Sequence, residues 1–273
     1  STKVIHSIIF NLSLEPLFLY LSQLNHIFTK FIPLPTYYKG KPNVIVKRDN
    51  VYFSIQRSDY MQWHIYAGLE DYSWKTALEY LTEDCTILDI GANSGAFSLK
   101  LAEKAMEMKV ENIKIHAFEP NPQMVGVISK NLALNKKLKD KVKICDFAIG
   151  NEDGYCSIAF DESNSGAGRV IKDKGAKIPI KRIDSYLEQE NIKNVSFIKI
   201  DVEGFEPEVI KGAIRTIEEQ RPTLFIEMTD HWFRQHDSSC NAILDQLKKW
   251  RYDLFLETNS GFISIENNRE RLA

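Results

Sequence analysis

The sequence predicts an α/β domain built on a mostly parallel sheet that helices cover on both faces. One sign is a buried strand at 86–90 that breaks into the turn Gly91–Gly95 and resumes as a helix. A second sign is the regular alternation of short apolar strands with longer amphipathic helices that follows. Such alternation favours a doubly wound sheet with crossover helices.

Seven strands and several helices make up this alternation. The expected strands are 86–90, 113–118, 142–147, 195–200, 222–227, 252–256 and 262–265, and the expected helices are 96–107, 121–134, 206–219 and 240–250. The last two strands are joined by only a short connection around Asn259-Ser260-Gly261. They must therefore form an antiparallel hairpin, because a parallel crossover needs about a dozen residues. The expectation is therefore a seven-stranded sheet with an antiparallel last strand.

The residues before the alternation are expected to form an extension, with boundaries at 1–79 and 80–273. An apolar stripe at steps of four and three predicts a lead-in helix there, formed by Leu17, Leu21, Leu24, Phe28 and Phe31. This helix packs on the main domain, forms a homodimer seam or attaches the chain to a membrane-bound assembly. Further on, 44–46 and 51–55 predict a β-hairpin, and 60–81 predicts a helix.

Composition describes an ordinary globular protein of 273 residues, 44% hydrophobic and 26% charged. A net charge of −2 gives no basic face for nucleic acid. Polar residues interrupt the apolar segment 4–32, so no transmembrane span is expected. No small-residue cleavage site follows the segment, so no signal peptide is expected either. The scattered cysteines, Cys85, Cys145, Cys156 and Cys240, predict free structural thiols in a reducing, cytoplasmic compartment.

Residues 151–181 depart from the alternation. A turn at 151–154 leads to a strand at 155–160, a polar and glycine-rich segment at 161–168 and another strand at 178–180. This pattern predicts a β-insertion. The polar segment is either a lid at the ligand end of the sheet or a plain surface excursion.

The turn after the first strand of the alternation has the pattern Asp89-x-Gly91-x-x-x-Gly95. Glycines there let the backbone approach a ligand, and the following helix N-terminus favours an anionic group. The third glycine of the dinucleotide fingerprint is missing, and Asp89 lies inside the strand. The pattern resembles the first motif of class I S-adenosylmethionine-dependent methyltransferases.

Two further stretches place acids at the ends of strands. Glu119 ends the next strand, where a carboxylate accepts both hydroxyls of a ribose, or it simply caps the helix that begins near Pro120. Asp201 and Glu203 follow the strand at 195–200. There they act as base, orient a substrate hydroxyl, bind a hard cation or cap the following helix.

Together these stretches resemble the FkbM family of methyltransferases. The resemblance rests on Leu88–Gly95, Phe118–Asn121, Ile198–Gly204 and Val209–Ala213, and it runs from about Tyr66 to the C-terminus. It implies a Rossmann-like class I fold, S-adenosyl-L-methionine as the donor and O-methylation of a hydroxyl on a sugar, glycan or natural product. The alternative is a catalytically silent module that keeps the fold to bind a partner. N-methylation of nucleic acid is disfavoured, since no Asn/Asp-Pro-Pro-Tyr segment is present.

The resemblance also implies roles for individual residues. Asp89, Gly91, Asn93 and Gly95 would line the methionine end of the donor, Glu119 would hold the ribose, Asp146 and Phe147 would lie at the adenine, and Asp201 and Glu203 would face the substrate. Asp201 is the first candidate for the base, and His231 is the second because histidine titrates near neutrality. A divalent ion on Asp201, Glu203 and Asp230 is the less favoured alternative, so no metal is expected.

Aromatic side chains offer a further possibility. Flat rings stack on sugars, and the candidates for such a pocket are Trp63, Tyr66, Tyr72, Trp74, Trp232 and Phe233. Aromatic residues at helical spacing also fill hydrophobic cores. Both interpretations stay open on the sequence.

Overall fold

The computed structural model describes most of the chain after residue 25. The described residues are 17, 19–21, 26–69, 73–161, 164–166, 168–171, 175–234, 238–258 and 261–265. The strands are β1 (Val44–Arg48), β2 (Val51–Ile55), β3 (Thr86–Ile90), β4 (Lys114–Phe118), β5 (Val142–Cys145), β6 (Ala148–Ile149), β7 (Gly154–Ala159), β8 (Arg169–Ile171), β9 (Ala176–Lys181), β10 (Val195–Ile200), β11 (Thr223–Ile226), β12 (Phe255–Thr258) and β13 (Gly261–Ser264). The α-helices are α1 (Tyr60–Ala67), α2 (Ser73–Leu78), α3 (Ala96–Glu107), α4 (Pro122–Leu134), α5 (Ile183–Gln189), α6 (Glu206–Lys211), α7 (Ile214–Gln220), α8 (Asp230–Phe233) and α9 (Cys240–Lys249).

A parallel sheet in the order β11-β10-β3-β4-β5 forms the centre of the fold. All its pairings are parallel, and every residue of β3 is buried, as expected for a strand covered on both faces. The chain runs outward from β3 to β5 and then returns to the other side of β3 as β10. The sheet is Rossmann-like, and its topological switch point lies between β3 and β10.

The predicted seven-stranded sheet with an antiparallel last strand is not confirmed. Within the described residues the parallel sheet has five strands. The expected hairpin is present, but its strands β12 and β13 pair with each other as a separate antiparallel sheet. The antiparallel hairpin is therefore confirmed, but the expected pairing of its strands with the main sheet is not.

The hairpin expected before residue 60 is confirmed. β1 and β2 pair antiparallel around Asp49 and Asn50, both of which have positive φ, as tight two-residue turns require. The expected helix at 60–81 is instead two helices, because Gly68 ends α1 in the left-handed conformation with φ +75°. Of the apolar stripe expected on the lead-in helix, only Leu24 lies outside the described residues. Leu17 is exposed, and Phe28 and Phe31 lie in a 3-10 helix, His26–Phe31, where an α-helix was expected.

Residues on both sides of the expected boundary at 79/80 share one hydrophobic core. Phe53 and Ile55 of β2 join Ile87 of β3 and Leu99 of α3 in this core, and all four are fully buried. The division into an extension and a main domain stays a prediction.

The predicted β-insertion is confirmed. In the described residues, β6, β9, β7 and β8 form a sheet in that order, and Ile158, Ile178 and Ile180 bury its inner face. Phe205, in the turn before α6, packs against the same cluster. The insertion sheet is thereby attached to the carboxyl end of the parallel sheet.

The expected helix at 206–219 is divided into α6 and α7. Gly212 lies between them, and a Cβ there would stand 1.9 Å from the carbonyl oxygen of Gly150. Only glycine permits this approach of the helix end to the chain after β6. The helix α5 has no counterpart among the elements predicted from the sequence.

Two expectations from composition can be compared with the structure. All four cysteines are described and are free thiols, as predicted. No helix within the described residues is long and apolar enough to cross a bilayer.

Candidate functional site

A cavity opens at the switch point, beyond the carboxyl ends of β3 and β10. Gly91 ends β3 with φ +87°, and a Cβ there would stand 1.8 Å from the carbonyl oxygen of Asp201. The Asp201 amide donates to the Ile90 carbonyl oxygen at 3.0 Å. Both Gly91 and Asp201 line the cavity, so two of the predicted site residues meet at its base.

Glu119 connects the loops that follow β3 and β4. Its Oε2 accepts the backbone N–H of Asn93 at 2.8 Å, and its Oε1 accepts the N–H of Asn121 at 2.9 Å. Asn93 offers this N–H from the left-handed conformation, with φ +50°. Glu119 and Asn93 both line the cavity, and their role in binding a donor stays a prediction.

Burial controls the protonation of Glu119. It raises the pKa of the carboxyl to about 7, against the opposing effect of the two N–H donors. Each carboxylate oxygen has a second lone pair, so Glu119 keeps the capacity to accept hydroxyl groups from a ligand.

Asp89 and Gly95 support the loop from outside the cavity lining. Asp89 is fully buried, and its Oδ2 accepts the Ser98 hydroxyl of α3 at 2.6 Å. Gly95 begins α3 with φ +78°, and a Cβ there would stand 3.2 Å from Ile128 of α4. These two predicted residues therefore fix the turn and the start of the helix.

Of the two residues expected at an adenine, the structure brings one to the cavity. Phe147 lines it, with its ring edge-on to Phe118 at 5.6 Å between centroids. Asp146 is exposed and lies outside the lining. Alternation along the chain after β5 explains the difference, because neighbouring side chains point to opposite sides.

The insertion covers the cavity and is attached to the loop after β3. Three apolar side chains of the insertion line the cavity, namely Ile158, Phe160 and Val170. The Ser165 hydroxyl lies 3.0 Å from Asp59 Oδ1 and 3.2 Å from Asn93 Oδ1, and the Ser165 N–H donates to Asp59 Oδ2 at 2.7 Å. Asp59 also caps α1, so three distant segments meet at Ser165.

Asp201 is part of a charged cluster that includes Lys199 and Glu227. Lys199, only 6% exposed, donates to Asp201 Oδ2 at 2.6 Å. Burial alone would raise the pKa of Asp201, but the Lys199 ammonium and hydrogen bonds from Glu227 and Lys199 bring it below its ordinary value. The contact with Asp201, the partial desolvation of its own carboxyl group and the Asp201 charge raise the pKa of Glu227 to about 8.

A strained turn follows Asp201. Glu203 lines the cavity in the left-handed conformation, with φ +54°. Gly204 has φ +103°, and a Cβ there would stand 2.6 Å from Trp232 Cβ. The buried Glu206 accepts the Val202 N–H at 2.9 Å and so holds the turn closed. The N-cap residue of α6 is Phe205, and no side chain caps this helix, so the capping role considered for Asp201 and Glu203 is not observed.

His231, the second candidate base, lies away from the cavity. It is exposed on α8, with its ring edge-on to Trp232, and is not among the lining residues. Asp230 is paired with Arg234 at 2.9 Å and accepts the Cys240 N–H at 2.9 Å. In the described part of the chain, no group of three or more acids, histidines or cysteines is arranged to hold a metal ion.

Most aromatic candidates for a sugar pocket are core residues. Trp63, Tyr66, Trp74 and Phe233 are buried. Tyr72 lies outside the described residues, and Trp232, partly exposed, packs on Gly204.

Sequence reasoning missed Lys199 and Glu227, although both left a signal. Lys199 interrupts an otherwise apolar strand and shares a face with Asp201, two residues on. Glu227 ends its strand as Glu119 and Asp201 do. The contact between Asp59 and Ser165 left no signal in the sequence, because it joins residues 106 positions apart.

The cavity combines groups that suit a nucleoside-like cofactor and a second, hydroxyl-bearing molecule. Its empty space is about 780 Å³ with the open mouth included. Hydrogen-bonding groups lie at Asn93 and Glu119, apolar groups at Phe147 and Ile158, and ionisable groups at Asp201 and Glu203. With these groups in separate parts of the cavity, one ligand can be bound while an ionisable side chain removes a proton from a second ligand.

Comparison with known proteins gives this arrangement a family. Methyltransferase sdnD of Sordaria araneosa is 28% identical, over 46% of this chain and 59% of its own length. The 2-O-methyltransferase NoeI of Sinorhizobium fredii is 26% identical, over 60% of this chain and 71% of its own. The chain thus spans less than two thirds of the sdnD protein.

A solved structure and a family profile complete the comparison. The crystal structure of methyltransferase FkbM from Methylobacillus flagellatus KT is 17% identical and aligns with a TM-score of 0.42, over 89% of this chain and 53% of the other. The profile of the methyltransferase FkbM domain matches residues 89–254, more than half of the chain. The chain belongs to the FkbM-domain family of methyltransferases.

Proposed function

We propose that this protein is an S-adenosyl-L-methionine-dependent O-methyltransferase that acts on a hydroxyl of a sugar, glycan or natural product. The observation that carries the proposal is that Asp201 faces the same cavity as the Asn93–Glu119 contact. A proton acceptor and a ribose-binding acid thereby share one site. The relative NoeI is a 2-O-methyltransferase, which supports transfer to oxygen.

The residues on the donor side fit this cofactor. Gly91 lines the cavity with its backbone packed against Asp201, and Glu119 can accept ribose hydroxyls through its remaining lone pairs. Phe147 and Ile158 offer apolar surface for a base. When bound, S-adenosylmethionine supplies an electrophilic methyl group to an acceptor that must lose one proton.

On the acceptor side, this chain's residues orient the hydroxyl and hold its proton. Asp201 is fixed by Lys199 and lies on the cavity wall, so it is our candidate catalytic base. Glu203, held in place by the closed turn, is the candidate to orient the hydroxyl. His231 has no such position.

The charges of the cavity indicate the kind of acceptor. Among the described lining residues the charged side chains are Glu119, Asp201 and Glu203, all acids. An anionic group close to them would be repelled, particularly where burial lowers the effective dielectric. We therefore infer a neutral hydroxyl-bearing acceptor in preference to a phosphorylated one.

Titration calorimetry of the purified chain with S-adenosylmethionine, S-adenosylhomocysteine and NAD tests the donor half. We expect micromolar binding of the first two and none of NAD. Glu119→Ala should weaken binding by about 1–3 kcal/mol, since a buried hydroxyl contact is lost. Glu190→Ala, in a surface pair with Lys143, is the matched control. Absence of donor binding would favour the alternative, a catalytically silent module that binds a partner.

A screen with methyl-labelled donor tests the acceptor half. Neutral sugars, glycosides and hydroxylated natural products are offered beside their phosphorylated counterparts. Transfer of label to a neutral acceptor is expected. Preferential transfer to phosphorylated acceptors would contradict the electrostatic reasoning.

A further inference from the structure

Two carboxyl groups lie side by side at the ends of β10 and β11. Asp201 and Glu227 directly follow the paired residues Ile200 and Ile226, and the Glu227 N–H donates to the Ile200 carbonyl oxygen at 3.0 Å. The parallel register therefore places the two carboxyl groups next to each other at the ends of neighbouring strands. Two neighbouring carboxylates repel each other, which favours a state in which one of the two keeps its proton.

The surrounding charges favour the same state. The Lys199 ammonium pairs with Asp201 at 2.6 Å and compensates one negative charge. Among the described residues, the other titratable groups that face the pair from neighbouring elements are acids, namely Glu203 of the following turn, Glu206 of α6 and Glu119 after β4. With a single ammonium for two carboxyl groups, the second negative charge is unfavourable, as for other carboxyl pairs.

We propose that Asp201 and Glu227 act as one proton acceptor, in which Asp201 touches the acceptor hydroxyl and Glu227 is the positioning residue behind it. This inference rests on the proposed O-methylation. With both carboxyl groups ionised, the pair takes the proton as the hydroxyl O–H bond breaks, and its charge changes from −2 to −1. Glu227 is exposed and returns the proton to solvent.

The pair solves a difficulty that a lone aspartate would face. A base works best when its proton affinity matches the working pH, and an ordinary aspartate, with a pKa of about 3.9, is far too acidic. The raised pKa of Glu227, about 8, belongs to the coupled pair as a whole. One carboxyl group thus gives the other the proton affinity that deprotonation of a hydroxyl needs.

Carboxyl titration by carbon-13 NMR tests the pair without any turnover. We expect one glutamate carboxyl of the donor-free protein to titrate near pH 8. This signal should vanish in Glu227→Gln and move toward the ordinary glutamate range in Asp201→Asn. The control Glu190→Gln removes a surface carboxyl and should leave the signal in place. Titration of Glu227 in the ordinary range of the wild type would overturn the proposal.

The pH dependence of kcat/KM gives the second measurement. In the wild type we expect an alkaline rise with an apparent pKa near 8. Glu227→Gln should lose that rise, and its kcat/KM should fall at least about tenfold at high pH with unchanged donor affinity. An unchanged profile in Glu227→Gln would overturn the role. An intact titration without methylation by any variant, the wild type included, would overturn O-methylation and still support the shared proton.

Discussion

Gly91 and Asp201 approach so closely that a Cβ on Gly91 would stand 1.8 Å from the Asp201 carbonyl oxygen. The contact joins β3 to β10 at the switch point of the sheet, where both residues line the cavity. The loop proposed to hold the donor and the loop that carries the proposed base are therefore one packed unit. Gly91 is required by this packing as well as by its φ of +87°.

Gly91→Ala should consequently affect both stability and binding. The methyl group must push β3 and β10 apart, so we expect the free energy of unfolding to fall by at least about 2 kcal/mol. Donor affinity should fall at least about tenfold, because the Asn93–Glu119 contact starts from the same turn. Urea unfolding and titration calorimetry measure the two effects.

Gly126→Ala is the matched control for this substitution. Gly126 lies inside α4, and a Cβ there would meet nothing within 4 Å. Alanine should stabilise the protein by about 0.5–1 kcal/mol, because glycine is unfavourable within a helix. Equal effects of the two substitutions would refute the packing role of Gly91.

Local patterns predicted the parts of the site that lie next to strand ends. Gly91, Glu119 and Asp201 each follow a strand of the parallel sheet, and the sheet brings its carboxyl ends to one edge. Asp146 also follows a strand, yet it faces solvent. A shift of one residue reverses the direction of a side chain, and sequence alone does not fix where a strand ends to that accuracy.

Contacts between distant segments could not be predicted in this way. Gly212 divides the expected helix 206–219 because the chain at Gly150 lies against it. Ser165 meets Asp59 and Asn93 only after the insertion has folded over the cavity. Each contact depends on the relative placement of elements, which the period of a single element does not contain.

The raised pKa of Glu119 predicts a pH-dependent stability. In the folded state this carboxyl holds its proton up to a pKa of about 7, whereas its ordinary value is 4.5. Between these values the native state binds more protons than the unfolded state, so stability should fall as pH rises from about 4.5 to 7 and then level off. The loss attributable to Glu119 is about 3 kcal/mol.

Urea unfolding from pH 5 to pH 8, with and without Glu119→Gln, isolates this contribution. The variant should lack the part of the slope that Glu119 supplies, while Glu227 keeps its own in both proteins. If the free energies of unfolding of the two proteins changed with pH in the same way, Glu119 would already be ionised in the folded state over this pH range.

Asp201→Asn and His231→Ala separate the two candidate bases. Asparagine keeps the size of Asp201 and its position beside Lys199 but cannot take up a proton, so turnover should fall about 10²-fold or more with donor affinity nearly intact. His231 is exposed outside the cavity lining, so its loss should change turnover less than about twofold. Steady-state kinetics at saturating donor checks both, and the reverse ranking would transfer the role to His231.

Ser165→Ala tests whether the insertion holds the cavity closed. The Ser165 hydroxyl lies between Asp59 and Asn93, at 3.0 and 3.2 Å, and so connects the insertion to the start of α1 and to the loop after β3. Without it we expect faster hydrogen exchange in the peptides of β7 and β8 and a donor dissociation rate about fivefold higher, as the loss of about 1 kcal/mol from one hydrogen bond implies. Ser129→Ala, which removes an exposed hydroxyl bonded within α4, is the control and should leave both rates unchanged. Unchanged exchange together with an unchanged dissociation rate in Ser165→Ala would show that apolar contacts from Ile158 and Phe160 suffice to keep the insertion in place.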